Sequence, residues 1–167
     1  MGQISMISSS ETLSILNGIS FPLMLVDLSE IEKPIRFVNQ AFENDFGFSQ
    51  SMLQTLKDWS DLFFSGKLYR EVVVGTLLRD AENASPNQRN LPIREIEILA
   101  KRNQRLRYFL TGSVINHSLV CIFISSEGFF EYGHDTAIRK VINNISVGIF
   151  SLKTESNKGI ESFDYVN

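Results

Sequence analysis

The stretch Phe37-Val38-Asn39-Gln40-Ala41-Phe42 decides how the 167-residue chain is read. Upstream of it lies a short apolar run, Leu23-Met24-Leu25-Val26, bounded by Pro22 and Asp27. A run of that length suits a buried strand, and Ile35-Arg36-Phe37-Val38 suits its hairpin partner. Asn39 is placed to cap a helix opening at Gln40, because its side-chain oxygen can accept from a backbone N–H that the first turn leaves unbonded. Ala41, Phe42 and then Asp45-Phe46 continue at helical spacing, and Gly47 supplies the residue type at which a helix stops. Strand, turn, strand and a short Asn-capped helix are therefore expected in that order.

Working outward, Ser8 followed by Glu11 forms a capping-box pattern, and Leu13, Leu16 and Ile19 recur at helical spacing, so a short amphipathic helix should lead into the first strand. Downstream, Ser49 and Ser51 open a short helical piece, and residues 57–64 carry Trp59, Leu62, Phe63 and Phe64, a cluster that demands burial. From 67 to 84, Leu68, Val72, Val73, Leu77 and Ala81 predict the longest helix, with Arg70, Glu71, Arg79, Asp80 and Glu82 on its wet side. Residues 83–92 have the composition of a loop. Arg94-Glu95-Ile96-Glu97-Ile98-Leu99 alternates as a half-solvated strand. Residues 105–115 place Leu106, Tyr108, Leu110 and Gly112 on one side and Arg107, Phe109, Thr111 and Ser113 on the other. Asn116-His117 is the natural two-residue turn into residues 118–124, although it lacks the usual glycine. Two early strands and three late ones, with helices between, predict an α+β domain with a five-stranded antiparallel sheet.

Phe37-Val38-Asn39-Gln40-Ala41-Phe42-Glu43, then Phe46-Gly47-Phe48-Ser49, resembles the signature of PAS domains. Asp58-Trp59, Leu62-Phe63, Tyr69-Arg70, the strand at Glu95-Ile96-Glu97-Ile98, the hairpin at Lys101-Arg102-Asn103-Gln104, Gly112-Ser113 and Leu119-Val120-Cys121-Ile122-Phe123-Ile124 extend the similarity, in order, over residues 15–126. The resemblance is to bacterial sensor PAS domains of the S-box type. It implies the strand order 2-1-5-4-3, short helices on one face of the sheet, and flanking N- and C-terminal helices. It also implies a sensor role, in which a leading helix packs on the sheet or on a partner subunit.

The tail contains an internal repeat. Ile142-Asn143-Asn144-Ile145-Ser146 mirrors Leu16-Asn17-Gly18-Ile19-Ser20, Val147-Gly148-Ile149-Phe150-Ser151-Leu152 echoes Phe21-Pro22-Leu23-Met24-Leu25-Val26, and Tyr165-Val166-Asn167 echoes Phe37-Val38-Asn39. A tandem array is the straightforward reading. Residues 1–14 are then a lead-in helix, 15–126 a PAS domain, 127–145 a linker or signal helix marked by Ile138, Val141, Ile142 and Ile145, and 146–167 the truncated start of a second PAS domain. The linker reads either as a passive tether or as a signal helix coiled with its twin, and the repeat favours the second.

Composition bounds the function. A net charge of −3, with both signs mixed along the chain, provides no basic stripe for nucleic acid. Apolar runs fall well short of the roughly 18 residues of a membrane helix, no signal peptide is visible, and Met6 breaks the myristoylation pattern begun by Gly2. One cysteine cannot form an internal disulfide, in keeping with a cytoplasmic protein. No glycine-rich phosphate loop, Gly-x-Ser-x-Gly elbow or metal-ligand set occurs, so this chain is not expected to be an enzyme itself.

No cofactor is expected. Flavin-binding PAS domains carry their reactive cysteine on a middle helix in an Asn-Cys-Arg context, which is missing. Haem-binding ones take a histidine from the long helix, and residues 67–84 contain none. Cys121, mid-strand, reads as a small buried hydrophobe, and His117 as an exposed turn residue. His134-Asp135 faintly resembles a kinase phosphoacceptor but reads better as a polar position near a helix start.

The aromatics Phe42, Phe46, Trp59, Phe63 and Phe64 read either as plain core or as the lining of a pocket for a small apolar ligand. The candidate pocket set is Phe42, Phe46, Trp59, Phe63, Val73, Leu77 and Cys121. The expected function is a cytoplasmic sensor module relaying a ligand or partner signal, through a homodimer held by N-terminal and linker helices, to a histidine kinase or cyclic-dinucleotide effector outside the chain. The alternative is a ligand-free dimerisation module.

Overall fold

The expected strand-turn-strand-helix unit is present in a computed structural model that describes residues 9–84 and 90–127, apart from the side chains of Ser9 and Thr12. β1 (Leu23–Asp27) pairs antiparallel with β2 (Ile35–Val38). α2 (Gln40–Phe46) opens at Asn39, whose backbone is extended and whose side chain accepts from the Phe42 N–H, and it closes at Gly47 with φ of 76°. A Cβ at Gly47 would also lie 2.7 Å from Lys101 Cβ, so conformation and space both require glycine.

Asn39 does more than cap. Its Oδ1 accepts from the N–H groups of Leu23 at 2.9 Å and Phe42 at 3.0 Å. Its Nδ2 donates to the carbonyls of Leu16, Ile19 and Phe21 at 3.3, 3.1 and 2.9 Å. The Gln40 N–H donates to Asn17 Oδ1 at 3.0 Å. The end of α1 (Ser9–Asn17) is thereby stitched to the start of α2. α1 ends before Ile19 and runs past residue 14. Leu16 is buried on the sheet, whereas Leu13 is 39% exposed.

A 3-10 turn (Gln50–Met52) leads to α3 (Leu56–Phe63), which starts at a capping box: Thr55 Oγ1 accepts from the Asp58 N–H, and Asp58 Oδ2 accepts from the Thr55 N–H at 2.8 Å. α4 (Lys67–Glu82) follows. It buries Val73, Leu77 and Ala81 as expected, but Leu68 and Val72 are 76% and 57% exposed. The reason is rotational: at 3.6 residues per turn, Leu68 and Val72 project on the side opposite Leu77. Arg70 and Asp80, expected on the wet side, are drawn in by ion pairs with Asp61 and Arg94.

β3 (Arg94–Ala100), β4 (Gln104–Ile115) and β5 (Ser118–Ser125) complete a five-stranded antiparallel sheet of order β2-β1-β5-β4-β3. The Asn116-His117 turn forms without glycine, both residues adopting positive φ (44° and 60°), and His117 is exposed. Gly112 lies where β4 crosses β5 closely, since a Cβ there would lie 2.0 Å from the Val120 carbonyl oxygen. Strand alternation sorts the faces. Met24, Val26, Ile96, Ile98, Tyr108, Leu110, Leu119, Cys121 and Phe123 pack inward with the helices. Leu23, Ile115, Val120, Ile122 and Ile124 form a second apolar cluster with Leu16 of α1. The expected linker and second-domain start fall on residues 127–167, of which 128–167 lie outside the described residues, as does His134.

Candidate functional site

Burying aromatic rings between a sheet and three short helices produces one connected interior. Phe42 and Phe46 sit one turn apart on α2, Trp59 and Phe63 one turn apart on α3, and both helices present those pairs to the sheet. Phe42 meets Phe46 edge-on at 4.8 Å, Phe63 at 5.6 Å and Phe123 at 5.6 Å. Phe46 meets Phe63 at 5.2 Å and Tyr108 at 5.0 Å, while Trp59 meets Phe64 at 5.0 Å and Phe63 at 5.9 Å. These are contact separations for tilted and edge-to-face rings, which favour such arrangements over flat stacking.

All seven candidates (Phe42, Phe46, Trp59, Phe63, Val73, Leu77 and Cys121) are buried in this one cluster, as is Phe64. Two members, Phe123 and Tyr108, escaped the sequence reading. Strand parity could have found them, because Phe123 is two residues from Cys121 and Tyr108 shares its strand side with Leu106 and Leu110.

Few polar groups reach this interior. The Tyr108 hydroxyl donates to Asp45 Oδ2 at 3.0 Å; burial first, and then the Asp45 charge, raise its pKa well above the ordinary phenol value. Burial pushes the Cys121 thiol up to about 12, so it is a poor nucleophile at neutral pH. The Trp59 indole Nε1–H is fully buried and meets no acceptor among the described residues. A buried donor without a partner costs about 1–3 kcal/mol, so this N–H is a costly polar group among the rings.

A cleft of about 360 Å³ lies at one end of this core, between the α3–α4 connection and the edge strand β3, lined by Phe63, Ser65, Tyr69, Glu97, Ile98, Leu99 and Arg105. Phe63 alone among the candidates borders it. The Glu97 N–H on β3 donates to the Tyr69 hydroxyl at 2.9 Å, and Arg105 pairs with Glu97 at 2.9 Å, so the rim is polar and largely self-satisfied. Among the described residues no group of three His, Cys, Asp or Glu side chains gathers that could hold a metal ion.

Comparison with protein-family models and with curated proteins gave no significant match. Solved structures do match. The Rhodobacter sphaeroides LOV protein is 14% identical over 70% of this chain and 67% of its own, with a TM-score of 0.56. The Erythrobacter litoralis EL346 blue-light activated histidine kinase is 17% identical over 84% of this chain and 45% of its own, with a TM-score of 0.59. The N-terminal domain of a diguanylate cyclase with PAS/PAC sensor from Marinobacter aquaeolei is 11% identical over 63% of this chain and 94% of its own, with a TM-score of 0.51.

The chain has the PAS fold. At these identities the likeness speaks for the fold alone, and the strand order implied by the PAS resemblance is the one found. The residues do not fit the flavin chemistry of light-sensing PAS domains. α3 reads Leu-Lys-Asp-Trp-Ser-Asp-Leu-Phe without a cysteine, and Cys121 is fully buried on β5. In this core the ring of Phe63 meets those of Phe42 and Trp59 at 5.6 and 5.9 Å. No helix among the described residues is long and apolar enough to cross a membrane.

Proposed function

We propose that this PAS domain is a non-enzymatic, cytoplasmic sensor whose input is a small apolar molecule carrying a hydrogen-bond acceptor. The observation that carries this reading is the unpartnered Trp59 N–H, fully buried among aromatic rings. Apolar sites use a few such polar groups to fix a ligand's orientation. Phe42, Phe46, Phe63, Val73, Leu77 and Cys121 would surround the ligand. The output would pass through residues 127–145, paired in a homodimer with α1, to a histidine kinase or cyclic-dinucleotide enzyme outside the chain. Proteins of the same fold named as a histidine kinase and a diguanylate cyclase support that choice of effector.

The test is a thermal-shift series with small aromatic molecules, with and without a carbonyl acceptor, on the native chain and on Trp59→Phe, which keeps a ring and removes the N–H. Stabilisation by the carbonyl compounds that disappears in Trp59→Phe is expected. Equal shifts in both proteins would remove Trp59 from the site. The second reading, a ligand-free dimerisation module, is favoured by the mutual ring contacts, which fill the interior as ordinary core does. No shift with any compound would favour it.

A further inference from the structure

Leu68, Val72, Gly75 and Arg79 succeed one another at four-, three- and four-residue steps on the side of α4 turned away from the core, so they stand in one line along the helix. Leu68 is 76% and Val72 57% exposed, and Gly75 and Arg79 are exposed too. A Cβ added at Gly75 would meet nothing within 4 Å. Among the described residues nothing therefore calls for glycine here. Its φ is not positive, no neighbour crowds it, and glycine weakens a helix interior relative to alanine. What glycine does permit is close approach by another backbone.

The charges beside this line have a direction. Glu71 lies one turn before Gly75 and Arg79 one turn after it. If a second α4 crosses antiparallel on a two-fold axis at Gly75, Glu71 of each copy faces Arg79 of the other. A parallel crossing would set Glu71 against Glu71 and Arg79 against Arg79. Both charges are available: Glu71 makes one long contact of 3.8 Å with Lys67, itself 85% exposed, and Arg79 forms no ion pair among the described residues.

We infer that the outward face of α4 is a self-association surface for a second copy of this chain, antiparallel and closest at Gly75. The apolar stripe supplies burial and the charges set the orientation. One helix pair covers less than the roughly 800 Å² per partner of a standard stable interface, so the contact is weak by itself. It is a surface distinct from α1 and residues 127–145, and it does not depend on the sensor reading.

The test uses the full 167-residue chain. Sedimentation at about 1 mM should reveal a reversible dimer. Glu71→Arg and Arg79→Glu, each setting two like-charged contacts across the axis, should each weaken it by about tenfold, and mixing the two variants should restore association as a heterodimer. Gly75→Cys should form a disulfide-linked dimer under mild oxidation, because a symmetric bridge needs Cα atoms within about 7 Å, whereas Asn83→Cys should not. A native chain that stays monomeric at about 1 mM, a mixture that associates no better than its components, or Gly75→Cys linking no faster than Asn83→Cys would each overturn the inference.

Discussion

Asn39 joins three segments of the chain. The five hydrogen bonds of its side chain tie the end of α1, the start of β1 and the first turn of α2. Replacing it by alanine loses a helix cap, costing about 0.5–2 kcal/mol, and strands buried N–H and C=O groups at about 1–3 kcal/mol each. Asn39→Ala should therefore lower unfolding free energy by about 3 kcal/mol or more, read from urea denaturation. Asn39→Asp should fail to rescue it, because a carboxylate keeps the acceptor but turns toward three carbonyl oxygens. A loss below about 1 kcal/mol would show that the bonds are incidental to the fold. Cys121 carries a pH signature. Its folded pKa is raised to about 12 by burial against about 8.5 for a free thiol, so the unfolded chain releases the proton first. The linked stability is intact below about pH 8.5 and declines as pH rises above it, by about 1–2 kcal/mol at pH 10. Urea midpoints at pH 7 and pH 10 should show this slope in the native protein and a shallower one in Cys121→Ala.

At the scale of elements, two glycines make opposite predictions. In Gly112→Ala the new methyl would press on the Val120 carbonyl oxygen where β4 meets β5, forcing the strands apart at a cost of about 2–4 kcal/mol. Gly75→Ala has open space and a helical backbone, so the monomer should gain about 0.5–1 kcal/mol. Chemical denaturation of both variants at low protein concentration checks the pair. A neutral Gly112→Ala would mean that the sheet has slack the structure does not contain.

What was legible from sequence follows the same physics. Elements announced by a local signal were found as read: the cap at Asn39, the stop at Gly47, the turn at Asn116-His117, and the half-solvated alternation of β3. The strand order came from the PAS resemblance, since pairing β1 with β5 joins residues about a hundred positions apart and no local pattern encodes it. α4 was misread because its apolar residues surround the helix, so counting them could not choose the buried face. Ion pairs to Asp61 and Arg94, contributed by other elements, accompany Arg70 and Asp80 on their inward turn. The aromatic interior was legible from the helices but incomplete, because Phe123 and Tyr108 enter it from strands.

For the whole molecule, the PAS fold places an aromatic core on one face of the sheet and an apolar cluster with α1 on the other, and Asn39 spans the two. That connection gives the proposed signal a physical route: a change around Phe42 displaces the first turn of α2, which holds the end of α1 through Asn39 and Asn17. If residues 127–145 then carry the output in a dimer, Ile142→Glu should weaken dimer affinity, measured by sedimentation. Unchanged affinity would reduce that segment to a tether.

The central claim is that the core around Trp59 takes a small molecule. Native mass spectrometry of the purified chain, with an absorption spectrum of the same sample, tests it most directly. The account predicts non-covalent mass beyond the polypeptide, or absorbance outside the protein band, that is lost in Trp59→Phe. A clean apo mass from a colourless sample, unchanged by that substitution, would contradict it and leave the aromatics as core.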